Sequence, residues 1–378
     1  MNQLKKIKLA FIRQKYRPDG GAERFLARAI DALKEDIDIT LFTRKWQKQD
    51  NIEVIECNPP KWSRISREHG FINAVCKEVS NHNFDLVQSH ERTPCCDIFR
   101  AGDGIHEELL KQTNRVTPAF QRAMRKISRF HNHRIKAEGE LFNSKQLKAI
   151  ICNSQMVAEE IKEYFPDAAD KTHVIYSCID FSEFNPELKR ERAKIRSELN
   201  IPESETVYLF VGSGFKRKGA AAAIAGLAKL DKGILLIVGK DKNINKYKRL
   251  ASDLKIADRV LFLGVKQDVK PYYGCADAFL FPTLYDPFPN VVIEAMATGL
   301  PIITSTKCGA AELIEQGTNG FVCDALDIES ISKFMKKVQK PELQSKMTQE
   351  VLNTAKIFST DAMIDNLSRL YSELLAAK

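Results

Sequence analysis

One stretch limits what this chain can fold into: Cys275–Pro301, CADAFLFPTLYDPFPNVVIEAMATGLP. Ala276–Pro282 is a short apolar run, as expected of a strand covered on both faces. The next residues cannot extend it, because Pro282, Pro287 and Pro289 remove ladder donors and fix φ. Asn290 reads as an N-cap, Val291–Thr298 as a helix and Gly299-Leu300-Pro301 as its stop. A helix that begins just past the carboxyl end of a parallel strand directs free N–H groups and partial positive charge at whatever sits there. Phosphate is the natural occupant. Asp286 in the loop and Glu294 about one turn into the helix frame the place, and either carboxylate can accept two hydrogen bonds from a vicinal diol. The plainer reading is a solvated acidic loop and a helix glutamate favoured by the dipole.

At 378 residues the chain is long enough for two domains with real cores. A composition of 44% hydrophobic and 28% charged residues excludes a disordered or fibrous class. No apolar run is long enough to span a bilayer, and the apolar part of MNQLKKIKLAFI is too short for a signal peptide. The nine cysteines form no C-x-x-C pair, so the expectation is reduced thiols, with neither a disulfide framework nor a zinc site. His131 and His133 point to different helix faces, and no metal site is expected.

The chain opens with a strand at Ile7–Ile12, a loop ending in Gly20-Gly21 and a helix at Ala22–Lys34. Strand, glycine turn and helix begin a doubly wound α/β domain. The glycines allow close backbone approach to a ligand, but G-x-G-x-x-G is not present, so no redox dinucleotide is implied. Further strands are read at Ile37–Phe42, Ile52–Ile55, Leu86–Ser89, Ala149–Asn153 and His173–Ile179. His90–His106 is dense in polar groups, with Glu91, Arg92, Arg100, Asp103 and His106. The charged, proline-punctuated Asp180–Pro202, with a short helix at Glu187–Leu199, marks a hinge. Domains are therefore expected at 1–182 and 183–360.

The second domain opens at Thr206–Val211, followed by Gly212-Ser213-Gly214-Phe215-Lys216-Arg217-Lys218-Gly219 and an alanine-rich helix. A glycine loop with clustered cations between strand and helix suits a phosphate, although a solvated basic turn gives the same pattern. It is not a P-loop, because Gly219 follows Lys218 where a magnesium-binding hydroxyl is needed. Between Lys111 and Lys148 the chain carries ten Lys or Arg against Glu138 and Glu140, with apolar residues at helical spacing through the first half. A solvated helix face, an anionic membrane surface or acceptor, and nucleic acid are the three readings. No nucleic-acid-binding motif accompanies the charge, so no nucleic-acid partner is expected.

Asp286-x7-Glu294 with Ala-Met-Ala-x-Gly-Leu-Pro-Ile resembles the E-x7-E donor motif of glycosyltransferase family 4, and Arg217-Lys218-Gly219 matches that family's R-K-G loop. The resemblance implies a GT-B fold: two Rossmann-like doubly wound α/β domains facing a central cleft, with the final helix, 361–378, packing back on the first. It also implies a retaining, metal-independent transfer from a nucleotide sugar, with no cofactor. Donor-binding roles fall on Gly20, Gly21, Ser213, Arg217, Lys218, Lys240, Val265, Asp286, Pro289, Asn290, Val291 and Glu294. Asp97–Asp103 is similar to the acceptor-side segment of bacterial lipopolysaccharide core glucosyltransferases. Asp103 would be catalytic together with Lys218 and Asp286, while Arg100, Asp103 and His106 would meet the acceptor. The chain departs from the wider family at Asp286, usually Glu, and at Ser213, often Arg. The resulting expectation is a cytoplasmic enzyme, peripheral on the inner membrane face through 111–148, that moves glucose from UDP-glucose to a lipopolysaccharide core or other glycolipid. The alternatives are a non-hydrolysing UDP-sugar epimerase of the same fold and a non-enzymatic basic module for membrane or nucleic acid.

Overall fold

A computed structural model describes residues 6–14, 21–33, 37–45 and 52–377. The chain divides into two compact units, Met1–Ser177 with Thr360–Lys378, and Cys178–Ser359. The sequence reading places the first division later, at 182/183.

The first unit is built on seven parallel strands: β1 (Ile7–Ile12), β2 (Ile37–Thr43), β3 (Glu53–Glu56), β4 (Leu86–Ser89), β5 (Ile98–Arg100), β6 (Ala149–Cys152) and β7 (Thr172–Val174). Their order is β3-β2-β1-β4-β5-β6-β7. Runs such as Leu9–Ile12 of β1 and AIIC of β6 are apolar on both faces because helices cover both sides of a parallel sheet. The order reverses between β1 and β4, the switch at which doubly wound sheets bind ligands. The last helix, Thr360–Ala376, packs beside the Gly21–Leu33 helix of this unit.

The second unit has six parallel strands: β8 (Val207–Val211), β9 (Ile234–Val238), β10 (Val260–Gly264), β11 (Ala278–Phe281), β12 (Ile302–Ser305) and β13 (Gly320–Cys323), in the order β10-β9-β8-β11-β12-β13. The switch here lies between β8 and β11, whose register pairs Ala278 with Tyr208. The Asn290–Ala297 helix starts beyond the carboxyl end of β11.

The structure corrects several expectations. Among the elements not foreseen are the three-residue β5, the Arg64–Ser80 helix with its Ser63/Ser66 capping box, and the Ile244–Asp253 and Lys270–Cys275 helices. The basic stretch is three helices, His106–Asn114, Ala119–Lys126 and Arg129–Phe142, interrupted at Pro118 and Ser128. Asn290 is not the cap of its helix: its backbone is already helical, and extended Pro289 takes the cap position. Cys76 and Cys95 form a disulfide, because the Arg64–Ser80 helix and the loop before β5 bring their Cα atoms to 5.8 Å. The other seven cysteines are not disulfide-bonded.

The hinge segment is held through charge. Arg196, 1% exposed, donates to Asp277 Oδ2 at 2.7 Å and to the carbonyls of Pro202, Glu203 and Glu205. Asp277 also accepts the Val207 N–H at 2.7 Å and Arg192 at 2.8 Å. Removing one partner of a buried pair leaves the other charge uncompensated. Asp277→Ala is therefore expected to lose about 3–5 kcal/mol of stability, measured by denaturant titration.

Candidate active site

Three loops meet at the carboxyl edge of the second sheet, after the neighbouring strands β8, β11 and β12. The first turns through Gly214 (φ 79°) into the short Phe215–Lys218 helix and leaves it at Gly219 (φ 81°). A Cβ on Gly219 would lie 1.8 Å from the Pro282 carbonyl oxygen, so this loop can reach the end of β11 only with glycine there. The second loop ties itself on through the Leu284 N–H and the Thr283 hydroxyl, which donate to Arg217 O at 2.8 and 3.0 Å. The third brackets Asp286, whose N–H donates to Lys307 O at 2.9 Å and whose carbonyl accepts from Gly309 N–H at 2.8 Å. The loop after β9 joins on the other side, where the Lys240 N–H donates to Ser213 Oγ at 3.2 Å.

This stitching brings together Arg217, Lys218 and Asp286. Lys218 Nζ donates to Asp286 Oδ2, and Arg217 Nη1 reaches the same oxygen at 3.2 Å and Tyr285 O at 2.9 Å. Asp286 Oδ1 accepts from no group among the described residues. Burial alone would raise the Asp286 carboxyl, but Lys218 and Arg217 outweigh it and hold the carboxyl below its ordinary value. Burial lowers the Lys218 ammonium, with Asp286 pulling the other way. The Lys218 ammonium also sits 5.0 Å from the Phe281 ring centroid.

Glu294 is buried inside the Asn290–Ala297 helix, and its Oε2 accepts from the Tyr273 hydroxyl at 2.7 Å. Tyr273 is a site residue that sequence reasoning missed. No side chain caps the helix, so its first amides at Asn290 and Val291 have no side-chain acceptor. Val265 is exposed just after β10.

In the first unit, Gly20 lies outside the described residues and Gly21 opens its helix. Arg100 is buried in β5, donates to Ser177 Oγ at 3.1 Å and stacks on Phe25 at 4.0 Å. Gly102 makes room for it, since a Cβ there would come within 2.4 Å of Arg100 Nη1. Asp103 follows with a side chain 67% exposed, 3.9 Å from Arg92 Nη1. His106 is buried at the start of its helix, its N–H donating to both Glu138 oxygens at 3.1 and 3.0 Å and its Nε2 3.0 Å from His131 Nδ1. Burial, Arg92 and Arg134 push its pKa down to about 3, so it is neutral. Glu138, the second residue missed, also accepts Arg92 Nε and Nη2 at 2.9 and 2.7 Å. A small cavity lined by Arg13, His90, Arg92, Arg100 and Asp103 lies beside these groups.

Residues 19–183 match the glycosyltransferase family 4 profile, and residues 191–354 match glycosyl transferases group 1. The chain belongs to glycosyltransferase family 4. It is a hexosyltransferase of the GT-B fold. It is 24% identical to the lipopolysaccharide glucosyltransferase WaaG of Escherichia coli over 338 residues, 87% of this chain and 88% of that protein. It is also 24% identical to the lipopolysaccharide core biosynthesis glycosyltransferase LpsE of Rhizobium meliloti, across 95% and 97% of the two chains. The WaaG crystal structure superposes with a TM-score of 0.80 at 21% identity, covering 96% of this chain and 99% of that one. HepE of Anabaena, solved in complex with UDP-glucose, gives a TM-score of 0.74 at 19% identity, covering 97% and 100%.

Within this family 4 enzyme the acidic motif and the R-K-G loop are thus one cluster, joined at Asp286 Oδ2. A carboxyl held below its ordinary value contributes stability in full above that value, and the contribution is lost as pH falls through the lowered one. Asp286→Asn is expected to destabilise the enzyme at neutral pH, with the gap from the parent narrowing as the pH falls below about 4. Denaturant titrations at neutral and acidic pH measure that gap.

Proposed function

We propose that the enzyme transfers glucose from UDP-glucose, with retention, to a lipopolysaccharide inner-core sugar or similar glycolipid at an anionic membrane surface. One observation carries the donor half: the Arg217–Lys218–Asp286 cluster beside the uncapped start of the Asn290–Ala297 helix. In glycosyl transfer the departing diphosphate gains charge in the transition state, and cations and helix amides aimed at that charge lower the barrier. Arg217, Lys218 and the Asn290 and Val291 amides take that role. Glu294, oriented by Tyr273, holds the ribose, Asp286 Oδ1 takes a sugar hydroxyl, and the departing phosphate itself serves as base. Ser213, Lys240, Val265 and Pro289 line the nucleotide's path. Asp103 and Arg100, backed by neutral His106, position the acceptor. The cations supply the positive charge a metal would otherwise bring, so no metal or cofactor is needed. The WaaG and LpsE similarities support the acceptor class, and the UDP-glucose complex of HepE supports the donor.

Thermal unfolding with UDP, UDP-glucose, UDP-N-acetylglucosamine, GDP-mannose and ADP-glucose tests the donor. A ligand bound only by the folded protein adds about 2.7 kcal/mol at a hundredfold excess over its dissociation constant. The expected result is a shift with UDP and UDP-glucose that Lys218→Ala abolishes and a metal chelator leaves unchanged. Consumption of the UDP-sugar without an acceptor would instead identify an epimerase, and no shift with any nucleotide a binding module.

The membrane half rests on the Ala119–Lys126 helix. Phe120, Met124 and Ile127, 68%, 62% and 72% exposed, follow one another at helical spacing, with exposed Arg122 and Lys126 on the other side. No helix among the described residues is long and apolar enough to cross a membrane. In the proposed arrangement this helix rests the enzyme on the inner face of the cytoplasmic membrane. Replacing Phe120, Met124 and Ile127 with Ser, or reversing Arg122 and Lys126 to Glu, is expected to weaken sedimentation with anionic vesicles while leaving the UDP shift intact. Unchanged sedimentation by both variants would remove the membrane assignment.

A further inference from the structure

His90 directly follows β4 and is 7% exposed, with its ring against Phe11 and Phe25 at 6.3 and 5.9 Å between centroids. Nothing in the donor or acceptor assignment uses it. Its Nε2 lies 3.2 Å from Gln88 Nε2, and Gln88 Oε1 accepts from the Tyr371 hydroxyl at 2.7 Å. Turning the amide over would leave the hydrogen of the fully buried Tyr371 hydroxyl without an acceptor among the described residues. The hydrogen bonds therefore run in one direction, from Tyr371 to Gln88 to His90. With Gln88 donating, Nε2 presents its lone pair and the neutral ring carries its proton on Nδ1. Burial and the Arg100 and Arg13 charges keep the ring neutral.

The Nδ1 atom is buried and has no hydrogen-bond partner among the described residues, and His90 lines the small cavity with Arg13, Arg92, Arg100 and Asp103. A buried donor left unmade is costly unless something supplies an acceptor. Among the described residues three guanidiniums and one carboxylate line this cavity, and the carboxylate, Asp103, is mostly exposed. Glu91, 3.4 Å from Arg13, and Glu138, 2.7 Å from Arg92, hold two of the guanidiniums in place.

We propose that this cavity is an oxyanion subsite in which His90 Nδ1–H and the Arg100 guanidinium hold a phosphoryl oxygen of the substrate. Gln88 and Tyr371 are positioning residues that hold the imidazole tautomer, so the C-terminal helix sets the chemistry of a binding group in β4's loop. The phosphoryl group belongs either to the donor diphosphate or to a phosphate ester on the acceptor, and only that attribution rests on the glycosyl-transfer reading.

Long-range proton–nitrogen correlation on the full chain, labelled with nitrogen-15 in histidine, reads the tautomer directly. The expected result is a neutral His90 protonated on Nδ1 at neutral pH, with the Nδ1 signal moving on addition of inorganic phosphate. Movement with UDP would then assign the group to the donor, and movement with glycerol phosphate but not UDP to the acceptor. A ring protonated on Nε2, a cationic ring, or no response to phosphate would overturn the proposal. Variants give an independent reading. His90→Asn places its amide near the Nδ1 position and is expected to keep phosphate affinity, whereas His90→Gln places it near Nε2 and is expected to bind roughly fivefold more weakly. Tyr371→Phe is expected to populate the second tautomer in the same spectrum. Equal affinities for the Asn and Gln variants would argue for a purely structural histidine. If the second unit showed no UDP stabilisation while His90 still answered phosphate, the glycosyl-transfer reading would fail and the subsite would stand.

Discussion

Asp286 is the point at which three neighbouring strands of the second sheet are joined. Its backbone is bonded to the loop after β12, and its side chain to the loop after β8. An ion pair buried this way is a poor source of stability, because desolvation offsets much of the attraction. Its value is positional. The two cations cannot leave Asp286 Oδ2 without exposing a buried carboxylate, so the loops carrying them are held at the edge where a diphosphate would arrive. Preorganised charge costs nothing further at the moment of reaction, which is what electrostatic catalysis requires.

The first unit uses the same device in another form. Glu138, on the Arg129–Phe142 helix, gathers Arg92 and the His106 amide around one buried carboxylate, and Arg92 in turn stands beside Asp103. Each partner satisfies what the other would otherwise leave unpaired, as a buried polar network must. The polar density of His90–His106 is therefore two populations. Arg100, which lines the small cavity, and His106 are buried, while Asp103 is largely open to solvent.

Much of this was legible before any coordinates. Strands such as β8 and β9 read directly because VYLFV and ILLIV are apolar on both faces, which a parallel sheet demands. The Asp286, Glu294, Arg217 and Lys218 positions follow from local motifs whose spacing is short. What escaped was either weakly patterned or non-local. The Arg64–Ser80 helix starts on a Ser–Ser capping box, without the acidic residue that usually marks one, and buries Glu68 on its apolar side. Strand β5 is only three residues long, too short for any periodicity. Tyr273 and Glu138 matter through partners 21 and 46 or 32 positions away, and spacing says nothing about such pairs. The Cys76–Cys95 bridge escaped for the same reason, since it depends on a helix and a loop meeting in space.

The aspartate at 286, where the family usually has glutamate, then acquires a physical meaning. Its backbone is fixed on both sides, and both cations take Oδ2, so the direction of Oδ1 is settled before any sugar arrives. A glutamate would carry its oxygens one bond further out, with another rotatable torsion to adjust them. A clamped aspartate has neither the reach nor the freedom, and it can serve only a hydroxyl that the loop geometry brings to it. Discrimination among hexoses at such a site depends on leaving a buried polar group unpaired when the hydroxyl is absent or misplaced, a larger penalty than a change of apolar fit. With Asp286 in the proposed role, donor choice would belong to the path of the Thr283–Pro289 loop as much as to the carboxylate it carries.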